Sequence, residues 1–335
     1  MIVNIKDIAR HAGVSVATVS HVINRSRYVS DGLSGRVEKA MKDLDYQPNL
    51  LAGSLRKKKT GTIGLVIPDS SNMLYADISR SFEDTFFLKN CSMMICNSAY
   101  MIEREIEHLK NLRSKMVDGI LMIPASTESA HIQKIMSAGI PVVLLDRKIE
   151  GLEADYVLPA NYRMGYMAGK YLTGLGHRKI GYIDRFAPHF HSIERVKGFK
   201  AALAEAGIAF DDKDILAGGL SYDMGAQAAK ELIDRDRQIT ALLCFNDINA
   251  LGAIRGLSDI GLKVPEDISV MGMDDIDISS IFIPGLTTLR YPVREMVDEA
   301  SKILFARIKK PEDRKYKEVS LEPELVIRGS TKKVL

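Results

Sequence analysis

Several apolar, β-branched runs of this sequence end on groups that can hold a hydroxyl-rich molecule: Asp69, Asp146-Arg147, Asn246-Asp247 and Asp274-Asp275. Arg195 opens the amphipathic stretch after another such run, Ile180–Ile183. A carboxylate accepts from two adjacent hydroxyls, and a guanidinium donates to two oxygens in one plane. Tyr75 offers an aromatic face for the C–H side of a ring. Asp247 and Asp275 read as helix caps rather than ligand contacts. The loop before Arg195 carries His189, Phe190 and His191. Two histidines at i and i+2 without a third ligand do not make a metal site. They could meet a phosphate or carboxylate, or simply face solvent. No cofactor is expected.

A second group of residues has different chemistry. Ser15 is an N-cap type, and Val19, Val22 and Ile23 follow at helical spacing as an inward stripe. Val16, Ala17, Ser20 and His21 are left facing outward. Ile5, Ile8, Ala9 and Ala12 make a second short helix, joined to the first by Gly13-Val14. The spacing fits a helix-turn-helix, whose second helix lies in the major groove of DNA. It fits an ordinary pair of core helices equally well.

The elements that must position these groups are legible as a change of texture at Thr62. Strand-like runs alternate with helical ones: Thr62–Ile67, Asp77–Leu88, Ser92–Asn97, Ile102–Lys115, Gly119–Ile123, Ser129–Ser137 and Val142–Asp146. The pattern restarts with helix Arg163–Leu175, strand Ile180–Ile183 and helices Arg195–Ala206 and Met224–Ile233. Strand Ala241–Phe245, helix Ile248–Ile260 and strand Ser269–Met273 follow. Strand Leu286–Tyr291, helix Val293–Ile308 and strand Leu325–Arg328 close the chain. Such alternation predicts α/β architecture in two lobes of doubly wound parallel sheet. Ligands bind such sheets beyond the carboxyl ends of their strands, where the polar groups stand. Upstream, Ser30 is expected to cap a third helix ending near Leu44, with Val37, Ala40, Met41 and Leu44 inward. Gly32 and Gly35 weaken it by about 1 kcal/mol each relative to Ala.

Length and charge agree with a multidomain chain. Its 335 residues exceed one small domain. Residues 1–60 hold eleven Lys or Arg against five Asp or Glu, a net of +6. The whole chain is +3, so the other 275 residues carry −3. A basic head on a mildly acidic body points to a polyanion met by the head alone. Cys91, Cys96 and Cys244 lie in apolar runs and read as reduced core residues of a cytoplasmic protein. No signal peptide or bilayer-spanning run is recognisable. Gly61-Thr62-Ile63-Gly64 precedes a strand, the wrong place for a dinucleotide loop, and no nucleophile-elbow or Walker motif occurs.

The run from Ile5 to Asn24, and the continuation from Leu44 through Asp69, resemble the lactose-repressor family of bacterial transcription regulators. The Ser20-His21-Val22-Ile23-Asn24 run is nearest in style to the ribose and purine repressors. The resemblance implies a helix-turn-helix headpiece (1–47), a hinge helix and linker (48–60) and a two-lobed core like periplasmic sugar-binding proteins. The lobes would comprise 61–160 with 292–320, and 161–291 with 321–335. It implies a homodimer on double-stranded, pseudo-palindromic operator DNA, most simply as a repressor, with no membrane partner. Ser15, Val16, Ala17, Thr18, Ser20, His21, Asn24 and Tyr28 would meet DNA in the headpiece. Asn49, Ala52, Leu55 and Arg56 would do so in the hinge, Leu55 as a minor-groove wedge. Tyr75, Asp146, Arg147, His191, Arg195, Asn246 and Asp274 would hold a small effector, a sugar or derivative.

The chain departs from the family at Leu33-Ser34, where relatives carry a phosphate-binding Thr-Arg, and at Ala160, Leu220 and Tyr291 around the pocket. Two other readings stay open: a regulator controlled by a phosphoprotein, and an enzyme on a Rossmann-like scaffold.

Overall fold

The computed structural model describes residues 3–24, 26–46, 59–185, 190–312 and 315–334. The chain divides into two compact units, Met1–Gly61 and Thr62–Leu335.

The described part of the smaller unit is built on helices α1 (Ile5–Ala12), α2 (Val16–Asn24) and α3 (Asp31–Asp43). Each start has a local cause. Asn4 accepts from the Lys6 amide while Asp7 accepts from the Asn4 amide, a capping box. Ser15 Oγ accepts from the Thr18 amide at 3.0 Å. Ser30 behaves differently from expectation: its side chain makes no cap bond, and only its carbonyl accepts, from Leu33 and Ser34. Ile8, Val19 and Val37 are fully buried where the three helices meet, and Ala9, Ala12 and Ala40 let the helices approach. Arg36 of α3 donates to the carbonyls of Ala12 and Gly13, at 2.5 and 3.0 Å, and so locks the turn between α1 and α2. Gly13 has φ +63°, and a Cβ there would lie 2.6 Å from the Arg36 guanidinium. Gly32 and Gly35 face open space, so no packing offsets their helical cost.

The larger unit begins with β1 (Thr62–Ile67), α4 (Met73–Phe87), β2 (Ser92–Asn97), α5 (Ile102–Ser114), β3 (Gly119–Met122), α6 (Ala130–Ser137), β4 (Val142–Leu145) and β5 (Asp155–Pro159). It continues with α7 (Asn161–Gly174), β6 (Ile180–Asp184), α8 (Phe190–Glu205), β7 (Ile215–Ala217), α9 (Tyr222–Arg235), β8 (Ala241–Cys244) and α10 (Asp247–Asp259). Last come β9 (Ser269–Met271), α11 (Asp277–Ile281), β10 (Thr288–Arg290), α12 (Val293–Lys309), β11 (Glu318–Leu321) and β12 (Glu324–Val326). One sheet has the order β11-β5-β4-β3-β1-β2 and the other β7-β6-β8-β9, all pairs parallel. β10 pairs antiparallel with β12 and joins the second sheet through bridges Met271–Thr287 and Asp274–Arg290. The chain therefore changes sheets three times: after β5, after β10 and after β11.

Strand order reverses at β1 in one sheet and at β6 in the other, which opens a crevice at the carboxyl ends of both. Both faces of the first sheet are covered. Ile63, Leu65 and Ile67 pack with α4 and α12, and Val66 packs with α5 on the opposite face. The second sheet is likewise lined by two apolar clusters.

Three short strands and one short helix were not expected. β5 opens on Asp155 and ends on Pro159, both unusual in a buried strand. Its charge is matched by Arg307, which donates to both carboxylate oxygens at 2.6 and 2.8 Å. β7 and β11 are short edge strands, and α11 has five residues. Helix α4 starts at Met73, not Asp77, because Asn72 caps it through the Leu74 amide. Helix α8 starts at Phe190, so Arg195 sits in its second turn instead of opening it. Of the cysteines only Cys244 is a core residue; Cys91 and Cys96 are half-buried, and all three are free.

Helices α7 and α8 touch backbone to backbone. A Cβ on Gly165 would fall 1.8 Å from the Arg195 carbonyl, and one on Gly198 1.9 Å from that of Tyr162. Gly165→Ala should therefore cost about 1–3 kcal/mol in denaturant unfolding. Gly174→Ala, at the open end of the same helix, should leave stability unchanged or raised. Equal stability of the Gly165 variant and wild type would show that the contact is not tight.

Candidate functional site

Tyr75, Asp146, Arg195, Asn246 and Asp274 come from five segments of both sheets and line one cavity, together with Tyr100, Arg185, Leu220, Phe245 and Tyr291. Its free volume is about 20 Å3, room for little more than one water. Asp146 stands directly after β4 with φ +65°, and Asp274 after β9 with φ +139°. Non-glycine residues held in this region carry backbone strain, which clusters at binding sites.

Each polar group is set by a second one. Arg195 donates through Nε to Asn161 Oδ1 at 2.9 Å and through Nη1 to the Phe245 carbonyl at 2.7 Å. Its guanidinium stands 4.6 Å from the Phe245 ring centroid. Tyr291 donates to Asp146 Oδ1 at 2.8 Å. Burial pushes the Asp274 carboxyl well above the usual carboxylate range, with Arg195 pulling the other way. Tyr75 and Tyr291 are likewise pushed up by burial and by Asp146.

Asn246 keeps the place in the cavity expected from sequence and takes over the cap role expected of Asp247. Asn246 lines the cavity, but its Oδ1 also caps α10 by accepting from the Asn249 amide at 2.8 Å. Asp247 caps nothing on its own helix. It accepts from the Ile276 amide and from the hydroxyls of Ser279 and Thr288, tying α10 to α11 and β10. Burial raises its carboxyl to about 6 despite these donors. Asp275 is no cap either; it pairs with Arg290 at 2.8 Å and Arg328 at 2.6 Å. Asp69 spends one oxygen on the Ser71 amide and hydroxyl and stays out of the lining.

Arg147 stands behind the lining. It donates through Nη1 to the Pro124 carbonyl at 2.7 Å, and its Nε is 3.7 Å from Asp146 Oδ2. His189 and the side chain of His191 lie outside the described residues. Among the described residues no three His, Cys, Asp or Glu side chains are grouped to hold a metal. Sequence reasoning missed Arg185 and Tyr100 as lining residues. Both follow strand ends, β6 and β2, the same signal that found Asp146. Leu220 and Tyr291, noted as departures from the family, both reach the cavity.

In the smaller unit, α2 presents Val16, 41% exposed, and Ala17 outward, with Asn24 exposed at its end. Thr18, Ser20 and His21 are half-buried. Thr18 Oγ1 is bonded to Ser15 Oγ at 2.9 Å, and Asn24 Nδ2 donates to the Ser20 carbonyl. His21 Nδ1 is bonded to Ser26 Oγ at 2.8 Å, which orients the ring. Tyr28 is 89% exposed. Asn49, Ala52, Leu55 and Arg56 lie outside the described residues. No helix among the described residues is long and apolar enough to cross a membrane.

Comparison with known proteins places both parts. Residues 4–49 match the bacterial regulatory proteins of the lacI family, and residues 170–331 the periplasmic binding protein-like domain. The HTH-type transcriptional repressor PurR of Vibrio atlanticus is 37% identical over 333 residues, 98% of each chain. The lac repressor dimer bound to operator and the anti-inducer ONPF superposes with a TM-score of 0.88 at 25% identity, covering 99% of this chain and 100% of that one. A LacI-family regulator from Enterococcus faecium with bound ribose is 32% identical with a TM-score of 0.75, covering 82% of this chain and 100% of that one. With a helix-turn-helix, a doubly wound two-sheet core and, in PurR and the lac repressor, relatives that match nearly its whole length, the chain belongs to the LacI family of bacterial regulatory proteins and is a DNA-binding transcription regulator, not an enzyme.

Proposed function

We propose that this regulator is a cytoplasmic, homodimeric repressor that reads a pseudo-palindromic operator and is controlled by a sugar or sugar derivative bound between its two lobes. The observation that carries the effector reading is the meeting of Tyr75, Asp146, Arg195, Asn246 and Asp274 on one cavity. These groups offer acceptors and donors for vicinal hydroxyls together with an aromatic ring. The Enterococcus faecium relative, which holds ribose, supports this chemistry. A cavity of about 20 Å3 does not admit a sugar ring, so binding requires the lobes to part and reclose. Effector affinity and operator affinity are then linked, each changing the other by the same factor.

In the headpiece, Val16 and Ala17 make apolar contacts to base edges, including thymine methyls, and His21 donates from Nε2 to a base acceptor. Ser15, Thr18, Ser20, Asn24 and Tyr28 position the backbone. The hinge positions Asn49, Ala52, Leu55 and Arg56 belong to this reading through the family resemblance alone. Pairing of two chains is supported by bulky apolar side chains left in solvent: Phe87, Leu88, Ile281 and Ile283 are 78%, 83%, 77% and 90% exposed. Such groups mark an interaction face when they cluster.

Three outcomes test this reading. Asp146→Ala should keep operator binding and lose about tenfold or more in effector affinity, since a charged hydrogen-bond partner contributes about 1.5–3 kcal/mol; an unchanged response in a DNA-release assay removes Asp146 from the site. His21→Ala should weaken operator binding by about 1–3 kcal/mol with random DNA unaffected. Equal losses on both DNAs, measured by fluorescence anisotropy, would defeat base reading. Ile281→Glu with Ile283→Glu should shift the protein toward monomer in sedimentation velocity; an unchanged dimer places the interface elsewhere.

A further inference from the structure

The inward stripe of α5 contains an acid. Glu105, Leu109 and Leu112 recur at helical spacing on its core side, and all three are buried, Glu105 completely. The ordinary occupant of such a position is apolar. Here both carboxylate oxygens are taken. Oε2 accepts from the Ala125 amide at 2.6 Å, and Oε1 lies 2.6 Å from His131 Nε2 of α6. Facing a carboxylate, the ring nitrogen is the donor. Replacing a buried pair of this kind by apolar side chains is often neutral or stabilising, so stability alone is a weak reason for it. What the pair holds is the segment that leaves β3 toward the cleft. Next to Ala125, the Pro124 carbonyl accepts from Arg147 Nη1 at 2.7 Å. Arg147 in turn pairs with Asp146, Nε to Oδ2 at 3.7 Å, and its charge acts on the Tyr75 hydroxyl. Asp146 and Tyr75 both line the cavity. A line of contacts thus runs from α6 through α5 and the end of β3 to two residues of the site. Arg147 has a long side chain, and an acceptor fixed in space decides which of its rotamers stands behind Asp146.

Resting on the cleft as effector site, we propose that Glu105, held by His131, is a positioning residue of that site: it fixes the Pro124–Ala125 segment, whose carbonyl sets Arg147, and Arg147 sets Asp146 and Tyr75 against the effector. Neither Glu105 nor His131 lines the cavity, so both act on the effector only through Arg147.

The test is isothermal titration of the full-length protein with D-ribose, D-xylose, D-glucose, D-galactose, D-ribose 5-phosphate and D-glucose 6-phosphate, the tightest binder serving as probe. Glu105→Leu, which restores an apolar stripe, should weaken the probe about fivefold or more, as expected within one hydrogen-bond network. Glu105→Gln keeps an oxygen for the Ala125 amide and should retain most of the affinity. In a protein carrying Arg147→Met, where the line is cut, Glu105→Leu should cost nothing further. Unchanged affinity in Glu105→Leu, equal losses in the Leu and Gln variants, or losses that add to that of Arg147→Met overturn the proposal. Should Glu105→Leu fail to fold, His131→Leu carries the same comparison with Arg147→Met: a loss confined to the protein with Arg147 supports the proposal, and any other result overturns it. Asp146→Ala separates this from failure of the cleft reading. A probe that is lost with Asp146→Ala yet indifferent to Glu105→Leu leaves the cleft standing and strikes the positioning role alone. A panel in which nothing binds, or a probe indifferent to Asp146→Ala, removes the site and the positioning role with it.

Discussion

Asp146, Arg147, Arg185, Arg195 and Asp274 lie buried where the carboxyl ends of two parallel sheets face each other. Ionised groups are expensive to take out of water, and they persist there only when neighbours fix and pair them. Much of the surrounding architecture does this. Asn161 at the start of α7 and the Phe245 carbonyl hold Arg195; Tyr291, at the second passage between sheets, holds Asp146. The glycine contact between α7 and α8 brings the Arg195 backbone close enough for the first of these bonds. Remove the charges and the reason for this arrangement goes with them.

The same constraint applies to both lobes at the cleft. Side chains of both sheets line it, and each lobe holds its own groups: Tyr291 bonds to Asp146 in one, Asn161 and the Phe245 carbonyl to Arg195 in the other. Tyr291 sits at the pivot. It follows β10 of one sheet, packs in the core of the other, and bonds to Asp146. That bond ties Asp146 to the passage between lobes. The buried Asp247 network joins α10, α11 and β10 within the second lobe.

The headpiece obeys a different economy. Its three helices bury few residues, mostly Ile, Val and Ala, so capping and the Arg36 clamp on the α1–α2 turn matter in proportion. Its outward side chains are pre-oriented by short local bonds, Ser15 to Thr18, Ser20 to Asn24 and His21 to Ser26. Such preorganisation lowers the entropy lost on meeting DNA.

The sequence by itself determined the class of the chain and where its chemistry stands. Helical spacing and Ser15 defined the reading helix, because caps and apolar stripes act within a few residues. β-branched runs located most strands, and the groups that end them located Asp146, Asn246 and Asp274, because parallel sheets put their ligands at those ends. Tertiary structure decided what local pattern does not encode. The strand β5 escaped notice because Asp155 is tolerable there only opposite Arg307, a partner 152 residues away. Asn246 rather than Asp247 caps α10 because Ile276, Ser279 and Thr288, distant in sequence, claim the aspartate. Arg185 and Tyr100 became lining residues only when two strand ends from different sheets were brought together. Packing across long sequence separations decides such assignments, and no window of neighbouring residues contains it.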